Sequence, residues 1–245
     1  MSKFGLLGRH ISYSFSKAHF TKKFENEGLA HTYDNFDIET ISEFPNVLKY
    51  NPDLKGLNVT IPYKEQVIAY LDSIDQEAED IGAVNTITIS KNGQLKGYNT
   101  DCYGFKKSIL PLLKPHHKKA LILGTGGASK AVAFVLKELA INYDYVSRTP
   151  NDLAKYRYSD LTPTLINSHH ILINCSPVGT FPKIDECPDI PYEGISNEHL
   201  LYDLIYNPLQ TKFLSIGASK GAITCNGLQM LEFQAEKAWN IWNNA

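Results

Sequence analysis

The hydrophobic residues of the chain fall into two patterns that alternate along most of its length. Short apolar runs predict strands buried on both faces, and longer segments with an apolar residue every three or four positions predict helices. The predicted strands are residues 4–8, 31–38, 54–59, 83–90, 95–101, 120–124, 143–146, 170–174, 200–205 and 221–224. The predicted helices are residues 17–27, 62–71, 101–113, 129–139, 209–220 and 228–242, with helical turns over 41–50. This alternation predicts an α/β fold with parallel sheets.

One pair of predicted strands, residues 83–90 and 95–101, is expected to form an antiparallel hairpin around Asn92-Gly93. Asn-Gly favours a two-residue turn, and that turn would place Asn85 opposite Thr100. Asp101 would then lie beside them, so two polar side chains meet at the open end of the hairpin. The alternative is that Asn85 and Asp101 only cap the ends of their elements, with Asp101 starting the next helix.

A charged, proline-bearing segment over residues 111–119 predicts a linker between two domains. The chain has 245 residues, of which 43% are hydrophobic, so each domain can form a core. A net charge of −2 gives no reason to expect nucleic acid or a membrane surface as a partner. No run approaches 18 apolar residues, and the apolar N-terminal run is too short for a signal peptide.

The four cysteines, at positions 102, 175, 187 and 225, are far apart in sequence. This spacing argues against a disulfide framework and a zinc site, and it favours a cytoplasmic protein with reduced thiols. The eight histidines form no metal-binding motif, so no metal is expected.

The first candidate for chemistry is the stretch Asn-Val-Thr-Ile-Pro-Tyr-Lys-Glu at residues 58–65. Proline is favoured in the first turn of a helix, which makes Pro62 a helix start and Thr60 its cap. Lys64 would then lie near the positive end of a helix dipole, where a cation is disfavoured and proton donation becomes easier. The alternative is an ordinary surface lysine.

Three serines, Ser12, Ser14 and Ser16, alternate with larger residues after the first strand. If this segment is extended, the three hydroxyls point the same way and suit a carboxylate or a polyol. The alternative is a serine-rich turn that caps the following helix.

A strand, a glycine turn and a helix follow one another around Gly124-Thr125-Gly126-Gly127-Ala128. Glycines in this position let the backbone approach a pyrophosphate at a helix N-terminus, although Ser129 replaces the third glycine of the usual motif. The next strand ends in Ser147-Arg148-Thr149 rather than in an acid. A cation and two hydroxyls suit the 2′-phosphate of NADP better than the ribose of NAD, whereas the alternative for Arg148 is a solvated loop residue.

Several motifs together resemble the shikimate dehydrogenase family, in their order and spacing, from about residue 5 to residue 235. They are Ser14-Phe-Ser16, Asn58-Val-Thr-x-Pro-x-Lys64, Gly82-Ala-Val-Asn-Thr86, Asn99-Thr-Asp101, Gly124-x-Gly-Gly-Ala128, Ser147-Arg-Thr149, Asn174-Cys-Ser-Pro-x-Gly179, Asp203-x-x-Tyr206-x-Pro208 and Gly227-x-x-Met-Leu-x-x-Gln234. The resemblance implies NADPH-dependent, reversible reduction of 3-dehydroshikimate to shikimate in aromatic amino-acid biosynthesis. It also implies a substrate-binding catalytic domain over residues 1–105, joined by 226–245, and a Rossmann-like NADP-binding domain over 106–225.

The same resemblance assigns roles to individual residues. Lys64 and Asp101 match the catalytic pair, with Lys64 as the proton donor to the reduced carbonyl. The other residues that match substrate contacts are Ser14, Ser16, Thr60, Asn85, Tyr206 and Gln234. Leu204 and Gly227 match the contacts on the nicotinamide side of NADP(H). A small-molecule substrate and a monomer or homodimer are expected.

The chain departs from the family pattern in its opening loop and in one cofactor position. His10 and Lys17 replace prolines, Phe20 and Thr21 replace a histidine and an asparagine, and Ser147 replaces a common asparagine. Two alternatives stay open: a quinate/shikimate dehydrogenase of broader specificity, and a non-catalytic metabolite sensor that kept the fold.

Overall fold

The computed structural model describes residues 2–12, 14–149 and 152–244, which form two compact units. The first unit comprises residues up to 100 together with residues from 235 onward, and the second comprises residues 101–234. The proline-bearing segment 111–119 lies inside the second unit. The substrate-binding and cofactor-binding roles of the two domains stay predictions.

The first unit is built on a mixed sheet with the strand order β2-β1-β3-β5-β6-β4. β1 pairs in parallel with β2 and β3, whereas β5 is antiparallel to both β3 and β6. Its strands are β1 (Ser2–Gly8), β2 (His31–Asp37), β3 (Leu54–Val59), β4 (Ser73–Ile74), β5 (Thr86–Ile89) and β6 (Leu95–Tyr98). Its helices are α1 (Phe15–Asn26), α2 (Phe44–Tyr50) and α3 (Gln76–Ile81), with 3-10 helices at Ile41–Glu43 and Gln66–Tyr70.

The second unit is a parallel sheet with the strand order β9-β8-β7-β10-β11-β12. This is the order of a doubly wound dinucleotide-binding fold, whose ligand crevice lies at the carboxyl ends of the two central strands. Its strands are β7 (Lys119–Leu123), β8 (Asn142–Ser147), β9 (Ala154–Arg157), β10 (Ile171–Asn174), β11 (Leu200–Asp203) and β12 (Ile223–Cys225). Its helices are α4 (Asp101–Ile109), α5 (Gly127–Glu138), α6 (Pro163–Asn167) and α7 (Lys212–Ser219), with 3-10 helices at Leu110–Leu112, Tyr158–Asp160 and Tyr192–Gly194.

The last helix, α8 (Leu228–Asn243), ends in the core of the first unit. Trp239 and Trp242 pack against Phe4 of β1, with ring centroids 5.5 and 4.9 Å from it. The indole Nε1 of Trp242 also donates a hydrogen bond to the backbone carbonyl of Ile87, at 3.0 Å. The prediction of two α/β domains, with the last helix returning to the first, is therefore confirmed.

The hairpin forms, but its predicted register is wrong by one residue. Thr86 pairs with Tyr98 and Ile89 pairs with Leu95, and the Ser90 N–H donates to the Gln94 carbonyl, so the loop between Ser90 and Gln94 contains three residues instead of two. Gly93 has φ +79°, and its N–H donates to the carbonyl of Ser90. A type I turn followed by a left-handed glycine gives this three-residue loop, which competes with the two-residue turn that Asn-Gly also favours.

The predicted helix over residues 62–71 is also wrong in its first half. The Ile61–Pro62 peptide is cis, and the Tyr63 N–H donates to the Thr60 carbonyl, so the chain makes a tight turn. The 3-10 helix begins only at Gln66, so Thr60 is not a helix cap. The argument that a helix dipole acts on Lys64 therefore loses its basis.

In the part of the chain that the structure describes, no helix has both the length and the hydrophobicity needed to cross a bilayer. Within the same residues, no group of three histidine, cysteine or acidic side chains is arranged as a metal site.

Candidate active site

In the first unit, backbone hydrogen bonds join the segments that carry Thr60, Lys64 and Asn85. The Thr60 N–H donates to the carbonyl of Leu7 at 2.9 Å, which holds the turn against the end of β1. The carbonyl of Lys64 accepts from the N–H of Val84 at 2.8 Å, and the carbonyl of Asn85 accepts from the N–H of Val59 at 2.8 Å. Three of the predicted substrate-binding residues therefore follow the carboxyl end of β3 or lie beside it.

The carboxamide of Asn85 is held in one orientation. Its Oδ1 accepts from the N–H of Thr100 at 2.7 Å, from the Thr100 hydroxyl at 3.1 Å and from the Thr86 hydroxyl at 3.0 Å. Because Oδ1 serves these donors, the Nδ2 end of Asn85 is the end that can donate to a ligand. Side-chain bonds, and not the predicted register, therefore bring Asn85 and Thr100 together, and the predicted meeting of Asn85 with Asp101 stays a prediction.

The predicted row of three serine hydroxyls does not form, because the chain turns into α1 at Ser14. Ser14 is the N-cap residue of α1, and Ser16 lies in its first turn and is buried. The alternative, a serine-rich turn that caps the following helix, is confirmed only in position, because Ser14 is the N-cap residue but its hydroxyl makes no capping bond.

The opening loop has a conformation that the family's proline would exclude. His10 has φ +55°, whereas proline is restricted to φ near −65°. The N–H groups of His10 and Ile11 donate to the two carboxylate oxygens of Asp37, at 2.9 and 3.1 Å. The departure at position 10 therefore allows a backbone conformation that proline cannot adopt, and an acid at the end of β2 holds it.

In the second unit, α4 and α8 pack closely where they carry Asp101 and Gln234. A side chain at Gly104 would collide with the carbonyl of Met230 and approach Gln234. Asp101 lies three residues before Gly104 and so on the same face of α4. Asp101 and Gln234 are both buried, and they lie on facing surfaces of two packed helices.

The glycine turn after β7 has the form that a dinucleotide needs. Gly124 has φ +116°, which a residue with a side chain rarely adopts, and its N–H donates to the carbonyl of Val146. Gly126 is the N-cap of α5, and no described atom lies within 4 Å of the place a side chain there would take. The Ser129 hydroxyl donates to the carbonyl of Gly126 at 2.7 Å, so this replacement for the third glycine stabilises the turn. Space and helix N–H groups are therefore present for a pyrophosphate.

Ser147 ends β8, and Arg148 and Thr149 follow it with exposed side chains. Asp144, the acid of the same strand, bonds Lys155 at 3.0 Å and His169 at 3.2 Å. Its partial burial opposes ionisation, but the bonds from Lys155 and His169 outweigh that effect and lower the pKa of Asp144. The Asp144 carboxylate therefore lies away from the end of β8, where it is bound by Lys155 and His169. The end of β8 thus remains suited to a phosphate.

The two residues predicted to lie on the nicotinamide side come together in the structure. A side chain at Gly227 would collide with the carbonyl of Leu204, and the Gly227 N–H donates to Ile205 at 3.0 Å. Tyr206 follows in the loop between β11 and α7.

Sequence reasoning assigned no role to two buried polar residues at the ends of β10 and β11. Asn174 donates to Asp203 at 3.0 Å, and Asp203 also accepts from Thr211 at 2.7 Å. Burial raises the pKa of Asp203 to about 6. These residues hold the loops that follow the two strands, and the signal for them was a polar residue closing each apolar run.

Comparison with known proteins gives one consistent result. Residues 6–87 match the family model described as shikimate dehydrogenase substrate binding domain. The shikimate dehydrogenase (NADP(+)) of Methanosphaera stadtmanae is 37% identical to this chain over an alignment of 256 positions. The alignment covers 97% of this chain and 90% of that protein. The corresponding protein of Caldanaerobacter subterraneus is 38% identical, over 98% of this chain and 90% of its own length.

A solved structure agrees with these sequence matches. The shikimate 5-dehydrogenase of Thermus thermophilus, in complex with NADP(H) and shikimate, superimposes with a TM-score of 0.88 at 32% identity. The match covers all of this chain and 94% of that one. Identity above 30% over nearly the whole length, together with the same fold and the same motifs, establishes that this chain belongs to the shikimate dehydrogenase family.

Proposed function

We propose that this protein is an NADP-dependent shikimate dehydrogenase, which catalyses the reversible reduction of 3-dehydroshikimate to shikimate. The observation that carries the proposal is the nearly full-length similarity to enzymes of that name. The chemistry of the chain agrees, since a Rossmann-like unit is combined with a strand end that offers Arg148 and two hydroxyls.

The reaction needs a proton donor beside the ketone oxygen, a role that Lys64 can fill. NADPH, when bound, supplies the hydride, and negative charge develops on the ketone oxygen as the hydride reaches carbon. We assign to Lys64 the proton that neutralises this oxygen, and in the reverse direction the role of base. Asp101 would hold the Lys64 ammonium and accept a hydrogen bond from a substrate hydroxyl. This role requires the two side chains to come within about 3 Å in the substrate complex.

The remaining assignments follow the chemistry of each group. Ser14 and Ser16 would bind the substrate carboxylate, because hydroxyls donate well to anions. Asn85 would donate through Nδ2 to a substrate oxygen, as its fixed orientation favours. Thr60, Tyr206 and Gln234 are assigned to contacts with the hydroxyl groups of the substrate.

The cofactor assignments divide between three places in the second unit. The pyrophosphate is assigned to the turn Gly124, Thr125, Gly126, Gly127 and Ala128, at the start of α5. The 2′-phosphate is assigned to Ser147, Arg148 and Thr149, and the nicotinamide side to Leu204 and Gly227. A monomer or homodimer, a cytoplasmic location and the domain bounds 1–105 with 226–245 and 106–225 remain the predictions made from the sequence.

The test is a spectrophotometric assay of the purified protein at the NADPH absorbance band. Shikimate and quinate are each supplied with NADP⁺ and with NAD⁺. Rapid formation of NADPH with shikimate only is the expected result. Comparable turnover of quinate would favour the enzyme of broader specificity. Binding of shikimate without any turnover would favour the metabolite sensor.

A further inference from the structure

A line of buried hydrogen bonds crosses the first unit from Tyr33 to Asn85. The hydroxyl of Tyr33 donates to the side chain of Asn58, with 2.8 Å between Tyr33 Oη and Asn58 Oδ1. Asn58 Nδ2 lies 3.2 Å from the hydroxyl of Thr86 and 3.3 Å from the backbone carbonyl of Asn85. Thr86 in turn donates to Asn85 Oδ1, so three buried residues lead to one that is assigned to the substrate.

The chemistry of these groups fixes the direction of every bond. The backbone carbonyl of Asn85 can only accept, so the neighbouring end of Asn58 is its Nδ2 donor. Asn58 Oδ1 therefore faces Tyr33 and receives the tyrosine's only proton. The protons thus run one way, from Tyr33 to Asn58, Thr86 and Asn85.

A fully satisfied network of this kind is rigid, because turning one member leaves a buried neighbour without its partner. Tyr33 is only 3% exposed, and burial raises its pKa, so the hydroxyl keeps its proton at physiological pH. The network therefore holds the side chain of Asn85 in place.

We propose that Tyr33 is a positioning residue for substrate binding, which orients the side chain of Asn85 through Asn58 and Thr86. The inference rests on the proposed function, since it concerns the binding of the same substrate. Tyr33 does not itself contact substrate in this scheme. Its hydroxyl acts by holding one side chain that does, at the far end of a four-residue line.

The test compares Tyr33→Phe with Tyr192→Phe. Both changes delete one tyrosine hydroxyl that donates at 2.8 Å, but Tyr192 donates to the Pro188 carbonyl in the second unit. For Tyr33→Phe we expect a KM for shikimate raised about tenfold, the factor that one lost hydrogen bond represents. We expect kcat and the KM for NADP⁺ to stay within about threefold, and all three constants to be unchanged in Tyr192→Phe.

A second variant, Thr86→Val, breaks the line at another point with little change of volume. We expect a similar rise in KM, and an effect in the double variant with Tyr33→Phe well below the product of the two single effects, because both changes cut one network. Independent effects that multiply would overturn the proposal, as would an unchanged KM in Tyr33→Phe.

A readout without turnover separates this inference from the proposed function. The side-chain amide signals of Asn85 are followed by NMR in the wild type, Tyr33→Phe and Tyr192→Phe. We expect them to shift in Tyr33→Phe only, and unshifted signals would refute the network. A wild type that does not oxidise shikimate would overturn the proposed function, whereas the amide signals would still decide whether Tyr33 orients Asn85.

Discussion

Trp242 gives a quantitative test of how the last helix is fixed to the first unit. The change Trp242→Phe keeps an aromatic ring but removes the indole N–H that donates to Ile87 at 3.0 Å. The indole also lies directly on β3, where a side chain at Gly56 would collide with it. A smaller ring therefore leaves a void between helix and sheet.

The expected loss of unfolding free energy follows from these two contacts. A lost hydrogen bond with a buried carbonyl costs about 1 kcal/mol. A void of about 40 Å³, at about 24 cal/mol per Å³, costs about 1 kcal/mol more. Trp242→Phe should therefore destabilise the first unit by about 2 kcal/mol. Trp239→Phe is the matched control, since Trp239 is equally buried at 7% in the same aromatic cluster and should lose only the void contribution, about 1 kcal/mol.

Urea unfolding followed by circular dichroism measures both variants. A chain with two units can unfold in two steps, and because we propose that NADP⁺ binds the second unit, the step that NADP⁺ stabilises is assigned to that unit. The midpoint of the other step should fall more in Trp242→Phe than in Trp239→Phe, with unchanged slope. Equal shifts in the two variants would show that the bond to Ile87 does not hold the helix.

Three further predictions concern chemistry. Lys64→Ala should lower kcat at least about 100-fold with little change in the KM for shikimate, as steady-state kinetics will show, and near-normal turnover would exclude Lys64 as proton donor. Arg148→Gln should raise the KM for NADP⁺ about 10- to 100-fold and leave that for NAD⁺ unchanged, and an equal effect on both would contradict a 2′-phosphate contact. Asp144→Asn removes a carboxylate whose pKa is lowered in the folded state, so its stabilisation is present above about pH 4 and is lost as the pH falls. Thermal unfolding at several pH values should therefore show a deficit at pH 7 that shrinks below pH 4, and a constant deficit would argue against the ion pair with Lys155 and the hydrogen bond with His169.

Local patterns were sufficient to predict most strands and the Rossmann-like unit. The apolar runs before Gly124 and Asn174 became β7 and β10, because a strand covered on both faces must be apolar throughout. The hairpin register and the start of the helix after Pro62 were wrong, because Asn-Gly and proline each fit more than one turn. Short elements such as β4, α3, β9 and α6 escaped prediction, since two to six residues carry too little periodicity.

The residues of the candidate site also differ in whether the sequence could predict them. The motifs predicted residues such as Lys64, Asn85 and Asp101, to which we assign the chemistry, because each lies in a short stretch with a recognisable local order. The buried polar residues that bond one another across the fold were assigned no role, because their contacts join distant parts of the chain. Tyr33 and Asn58 are 25 positions apart, and Asn174 and Asp203 are 29 apart. No local spacing rule connects such pairs.

The loop around His10 shows how a departure from a family pattern can be absorbed. A proline restricts φ without any partner, whereas a histidine at φ +55° needs an outside constraint. Asp37 supplies that constraint by accepting from two successive N–H groups, and Asn35 adds a bond from Nδ2 to the carbonyl of Ile11 at 2.9 Å. In the family, a proline restricts the backbone at this position. Here Asp37 and Asn35 of β2 hold the loop instead. Because Tyr33 belongs to the same strand, β2 supports the opening loop at one point and the line of hydrogen bonds to Asn85 at another.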